Sequence, residues 1–169
     1  MKKKYIITII LLLSTIFITG CKTDYVEEEP KTYLIEYNDM IEEVYPEEIC
    51  FVSTAYDERI EDKYLFYEDE VGNDINYYKK WSNMKSINVL NIITNRLEEA
   101  YYSGCNKIVL TDVDILDYYN GFDLTITDVD IFLSEIYNNS LNYGYDIGFL
   151  SDENLDIELQ KYFDFKLIN

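Results

Sequence analysis

Histidine is missing from this sequence altogether. Its absence removes histidine-based catalytic triads, histidine-ligated zinc and the usual near-neutral general base. Any chemistry must then rest on carboxylates, cysteine, tyrosine or lysine. Glycine is nearly as sparse, six residues placed singly, so no glycine-rich phosphate loop can form. Basic residues number 14 against 33 acidic ones. That balance repels nucleic acid and anionic lipid headgroups, and it suits cations or a basic partner such as a cell-envelope protein. It also keeps a protein soluble beside a membrane. Arg59 and Arg96 are the sole arginines and read as surface ion-pair partners among many acids.

What is present begins with the leader, "MKKKYIITIILLLSTIFITGCK". Three lysines precede an apolar run from Tyr5 to Ile18, then small residues and a cysteine. A basic start and a short apolar core describe a secretory signal, and the run is shorter than the ~20 residues that span a bilayer as a helix. Ile18-Thr19-Gly20-Cys21 resembles the lipobox of bacterial lipoproteins. The resemblance implies cleavage before Cys21, acylation (palmitate-type lipid) of that residue, and several acyl chains as the grip on a membrane. Residues 1–20 would be the signal peptide and 21–31 a lipidated cysteine with an acidic tether, "KTDYVEEEP" ending in Pro30. Residues 32–169 would form a single domain. The expected location is extracytoplasmic, lipid-anchored at the cell membrane or outer membrane, with Lys22 favouring the outer one. Removing the leader leaves 11 basic against 33 acidic residues, a side-chain charge near −22.

Along the domain, Thr32 to Tyr45 places Tyr33, Leu34, Tyr37, Met40, Ile41 and Val44 on one helical face, which Pro46 stops. "EICFVST" (48–54) reads as a buried strand and "KYLFY" (63–67) as another. Lys85 to Ser103 is the strongest helix, with a stripe of Ile87, Leu90, Ile93, Leu97, Ala100 and Tyr101 ahead of Gly104. "KIVLT" (107–111) is the best strand and "DLTIT" (123–127) a weaker one. Asp128 to Leu141 reads as helix, "DIGFLS" as strand, "DENLDIELQKYF" as helix and "DFKLI" as a last strand. The alternation predicts an α/β fold, a small, mostly parallel sheet with helices packed on it.

Eighteen tyrosines, many adjacent as in Tyr77-Tyr78 and Tyr118-Tyr119, offer rings that stack on sugars or anchor a protein. A compositional bias toward Tyr, Ile, Asn and Lys is the favoured account of them. Once Cys21 carries lipid, Cys50 and Cys105 remain. Each opens a predicted strand, so the two could be neighbours and close a disulfide outside the cytoplasm, but two buried free thiols are the favoured reading.

The pentapeptide Thr-Asp-Val-Asp-Ile occurs twice, at Thr111–Ile115 and Thr127–Ile131. The ends of apolar segments share a feature: Ser53-Thr54 with Asp57, Thr111-Asp112 with Asp114, Thr127-Asp128 with Asp130, and Ser151-Asp152-Glu153. Strand ends of a parallel sheet lie on one edge, where ligands usually bind. Oxygen ligands converging there, Asp112 and Asp114 foremost, could hold Mg²⁺, Mn²⁺ or Ca²⁺ and orient a phosphate. The same residues also serve as helix caps, and Thr127-x-x-Asp130 has the spacing of a capping box. "IVLTDVDIL" resembles the first motif of haloacid-dehalogenase-type phosphatases, which would make Asp112 the nucleophile and Asp114 the acid/base. Leu116 stands where that family has Thr or Val. "NRLEEAYYSGCNKIVLTDVDIL" resembles the segment before the Asp-x-Asp of nucleotide-sugar glycosyltransferases, in which Asp112 and Asp114 would bind Mn²⁺ and the diphosphate.

Two functional expectations result. Missing histidine and incomplete catalytic motifs favour a membrane-anchored, non-enzymatic binding or interaction module. The alternative is a divalent-metal-dependent phosphoryl- or glycosyl-transfer enzyme built on Asp112 and Asp114.

Overall fold

The computed structural model describes residues 32–168; the leader, Cys21 and the tether lie outside them. Eleven main elements follow one another: β1 (Tyr33–Tyr37), β2 (Met40–Val44), β3 (Ile49–Ser53), β4 (Tyr56–Asp57), β5 (Val71–Asp74), β6 (Lys79–Ser82), α1 (Ile87–Tyr102), β7 (Lys107–Thr111), α2 (Ile126–Tyr143), β8 (Asp146–Leu150) and β9 (Phe165–Ile168). Six strands form one sheet in the order β2-β1-β9-β8-β7-β3, and β4-β6-β5 form a smaller second sheet. Neighbours from β3 through β9 pair in parallel, whereas β1 runs antiparallel to both β9 and β2. The architecture is therefore mixed α/β, partly antiparallel and richer in strands than the sequence pattern implied.

Side-chain alternation along the strands builds two cores. On β7, Ile108 and Leu110 join Val52, Ile147 and Phe149 under the helices, packed against Ile93, Leu97, Phe132 and Ile136. Val109 points the other way, into a cluster with Ile35, Val44, Ile49, Phe165 and Leu167. Among the described residues that second face carries no helix, yet Ile35 and Val109 are wholly buried. The sheet covers itself by curling: Tyr33 on β1 meets Phe51 on β3 with ring centroids 5.6 Å apart, although three strands separate β1 from β3 in the sheet. Gly148 on β8 permits this inner packing, because a Cβ there would collide with the buried Phe165 ring.

Both helices have defined ends. The Ser86 hydroxyl accepts hydrogen bonds from the backbone N–H groups of Asn88 and Val89, capping α1. At α2 the capping box is Thr125 with Asp128, two residues before the predicted pair, and Gly144 closes the helix at φ 72°.

Four local expectations are corrected. Thr32 to Tyr45 is a β-hairpin, not a helix: Asn38 and Asp39 take φ of 44° and 68° in the two-residue loop joining β1 to β2, the conformation that Asn and Asp tolerate best among non-glycine residues. Residues 63–67 fall in and after a short 3-10 turn (Glu61–Leu65), with Tyr64 exposed. Residues 123–125 form the approach to α2 instead of a strand. In 152–163 the Asp156 side chain accepts the Glu158 N–H at 2.8 Å, a local bond that competes with helix, and Leu155 and Leu159 are buried as separate plugs.

Cys50 and Cys105 are joined in a disulfide, Cα atoms 5.9 Å apart, tying β3 to the turn between α1 and β7.

Candidate functional site

Parallel pairing brings the ends of β3, β7 and β8 to one rim. There Asp112, just after β7, adopts φ 65°, the left-handed region that aspartate tolerates better than most residues with a Cβ. Five groups hold it. Its Oδ2 accepts hydrogen bonds from Ser53 Oγ at 2.6 Å, Thr111 Oγ1 at 2.8 Å and Lys79 Nζ at 2.7 Å, the last an ion pair. Its backbone N–H donates to Glu153 Oε1 at 2.6 Å. The Thr54 hydroxyl donates to the Asp112 carbonyl at 2.8 Å, so β3 braces the same residue again.

Glu153 has an environment of the opposite kind. Burial pushes its carboxyl up to about 8, aided by the charges of Asp114, Asp112 and Asp152 and opposed by the Asp112 N–H. Its other oxygen, Oε2, is buried with no hydrogen-bond partner. At neutral pH Glu153 is thus largely a neutral acid, while Asp112 beside it is paired with an ammonium. Asp114 is also shifted upward, chiefly by burial, and its charge in turn raises the Tyr118 hydroxyl.

These carboxyls line an open cleft of about 420 Å³. Asp112, Asp114, Asp152 and Glu153 come from the strand ends, and Asp74 and Ile75 from the small sheet and its turn. Trp81, from the small sheet, stacks on Tyr118 with centroids 5.2 Å apart and planes inclined by 30°, and Tyr119 adds a 91% exposed ring. A cavity of about 290 Å³ adjoins the cleft and shares Asp114. Acidic groups beside the exposed rings of Tyr118 and Tyr119 suit a ligand that carries positive charge and has a flat apolar surface.

Not every strand-end acid is in the cleft. Asp57 is buried and bonded to the Arg59 guanidinium at 2.6 and 2.9 Å, which lowers its carboxyl to about 2. Asp128 caps α2, and Asp130 accepts from Tyr162 at 2.9 Å and pairs with Lys161 at 2.7 Å. The second pentapeptide copy is therefore structural. Among the described residues, no group of three or more His, Cys, Asp or Glu is arranged to hold a metal ion. Asp112 Oδ2 already meets the Lys79 ammonium. Arg96, expected on the surface, is buried: it grips Asp62 with two hydrogen bonds and donates to the carbonyls of Ser53 and Ala55, fixing the segment that presents Ser53 to Asp112.

The small sheet was not foreseen, and with it Lys79, Trp81 and Asp74 were missed as site residues. Trp81 is the chain's single tryptophan, and Lys79-Lys80 is a rare basic pair in an acidic stretch; these were the available signals.

No protein-family model matches the chain, and no curated protein matches it. Among solved structures, the chain is similar to Ega3 of Aspergillus fumigatus in its complex with galactosamine, with 29% sequence identity and a TM-score of 0.64. The likeness covers 70% of this chain and 48% of that one, so the chain spans about half the length of Ega3. It supports the α/β architecture over most of the described residues.

Proposed function

We propose that this protein is a lipid-anchored, extracytoplasmic binding module whose cleft takes a protonated amino sugar. Residues 32–169 act in this reading as one α/β domain, with helices packed on a mainly parallel sheet and the ligand at the strand ends. The observation that carries it is the cleft itself, acidic groups gathered beside the Trp81–Tyr118 stack, on a fold similar to that of a protein solved with galactosamine. The Cys50–Cys105 bond supports an oxidising compartment, and the leader supports acylation of Cys21. Calorimetric titration of the full-length chain in detergent with galactosamine, N-acetylgalactosamine and galactose tests the ligand class. Galactosamine should bind, more weakly as salt rises, and Asp112→Asn should lose most of that binding. Equal affinity for all three sugars would overturn the role of charge. Separately, Cys21→Ala should move the protein from the membrane fraction to the soluble one.

One observation favours a second reading, group transfer. A neutral Glu153 beside an ion-paired Asp112 resembles the division of labour between a proton donor and a carboxylate in glycosyl transfer. Release of reducing ends from galactosamine oligomers, lost in Glu153→Gln, is the result this reading requires. A divalent-metal version would show as a thermal shift with Mg²⁺, Mn²⁺ or Ca²⁺ that Asp112→Asn abolishes.

A further inference from the structure

Among the described residues, Lys79 is the one cation that reaches Asp112, at 2.7 Å. The pair is sheltered, with side-chain exposures of 18% for Lys79 and 13% for Asp112. Lys80, the next residue on β6, projects the other way and pairs loosely with exposed Asp74 at 3.3 Å. Strand alternation puts Lys79 on the same side as Trp81, the ring that walls the cleft. Asp112 is not dependent on Lys79 for its place, because Ser53, Thr111, Thr54 and Glu153 hold its carboxylate and backbone.

We infer that Lys79 is a resident cation: its ammonium holds the position on Asp112 that a ligand's ammonium would take, and so sets how tightly the cleft binds amino sugars. The inference rests on the amino-sugar reading above and adds a specificity-determining residue to it. A primary ammonium on a lysine stem and one on a hexosamine ring offer the same three donors and the same charge to Asp112. Binding the second requires release of the first. The cleft therefore discounts its own acidity, and it discriminates against simple cations that lack a ring to gain from Tyr118 and Tyr119.

The test is Lys79→Gln, which removes the charge but keeps a donor for Asp112. Full-length chain in detergent is titrated with galactosamine by calorimetry. Loss of one competing charge a few ångströms from the ligand should tighten binding about tenfold. The gain should vanish in Lys79→Gln/Asp112→Asn, which should bind like Asp112→Asn alone. Unchanged or weaker binding by a folded Lys79→Gln overturns the inference while leaving the amino-sugar reading standing. Should that variant fail to fold, the wild type answers: saturating galactosamine should shift the Lys79 side-chain nitrogen resonance, and a resonance that stays put while the sugar binds overturns the inference too. No galactosamine binding by the wild type or by Lys79→Gln would remove the parent reading together with this one. Binding by the variant alone would support the competing role of Lys79.

Discussion

Replacing Glu153 with glutamine should make this protein more stable at neutral pH, although it alters a residue of the candidate site. The wild-type carboxyl sits at about 8 in the fold against an ordinary 4.5. Between these values the folded state keeps a proton that the unfolded state has released, so wild-type stability falls as pH rises. The slope is about 1.4 kcal/mol per pH unit for one fully shifted group. At pH 7 the full shift would cost about 3 kcal/mol, and partial access of water to the rim brings the expectation to roughly 2–3 kcal/mol. Glutamine keeps an oxygen for the Asp112 N–H and has nothing to ionise. Urea unfolding of wild type and Glu153→Gln from pH 5 to pH 9 measures the effect. The two curves should differ by under about 1 kcal/mol at pH 5, diverge through pH 7 and run parallel above the folded value. Subtracting them cancels the other carboxylates, which titrate in both. Parallel curves over the whole range, or a wild type that gains on the variant as pH rises, would show that Glu153 is ionised in the fold and would refute its assignment as the neutral acid.

Three further outcomes are expected. Reducing the Cys50–Cys105 bond, which closes a loop of 55 residues, should lower stability by about 4 kcal/mol on loop entropy, read as a drop in denaturation midpoint that Cys50→Ser/Cys105→Ser reproduces. Gly148→Ala should destabilise by about 1–3 kcal/mol, since the added methyl meets the enclosed Phe165 ring; an unchanged midpoint would mean that the inner face is loosely packed. Arg96→Met should cost about 3 kcal/mol or more, because Asp62 and two carbonyls lose their buried partner, and it should weaken galactosamine binding by loosening the segment that holds Ser53.

Strands β3, β7, β8 and β9 and both helices were readable because each carries an apolar run or stripe whose period matches its element and whose ends carry turn or cap residues. On α1, however, Ile87 and Tyr101 of the expected stripe are exposed, and Val89 and Ile92 are buried instead. The hairpin at the start was not. Tyr33, Tyr37, Met40, Ile41 and Val44 satisfy a helical period by accident, and the decisive signal was the Asn38-Asp39 pair, which turns a chain more sharply than any helix allows. The small sheet escaped notice because its strands have two to four residues and are polar. Asp112 and Asp114 were legible as a pair at a strand end. Their neighbours were not, since Lys79 and Trp81 reach the rim only through a fold-back that no local periodicity encodes. Glu153 was visible as a strand-end acid, but its neutrality depends on enclosure by residues distant in sequence.

The three-stranded ribbon lies between β3 and α1, where a direct strand-to-helix connection would suffice for the sheet. It supplies one bank of the cleft while the sheet supplies the other. The two banks can therefore drift separately over generations: exchange of residues 74–80, with the buried Trp81 and Ser82 kept, would retune the cleft while leaving the scaffold beneath intact. A graft of a foreign ribbon onto this domain, or of this ribbon onto another, is the engineering route that such a division opens.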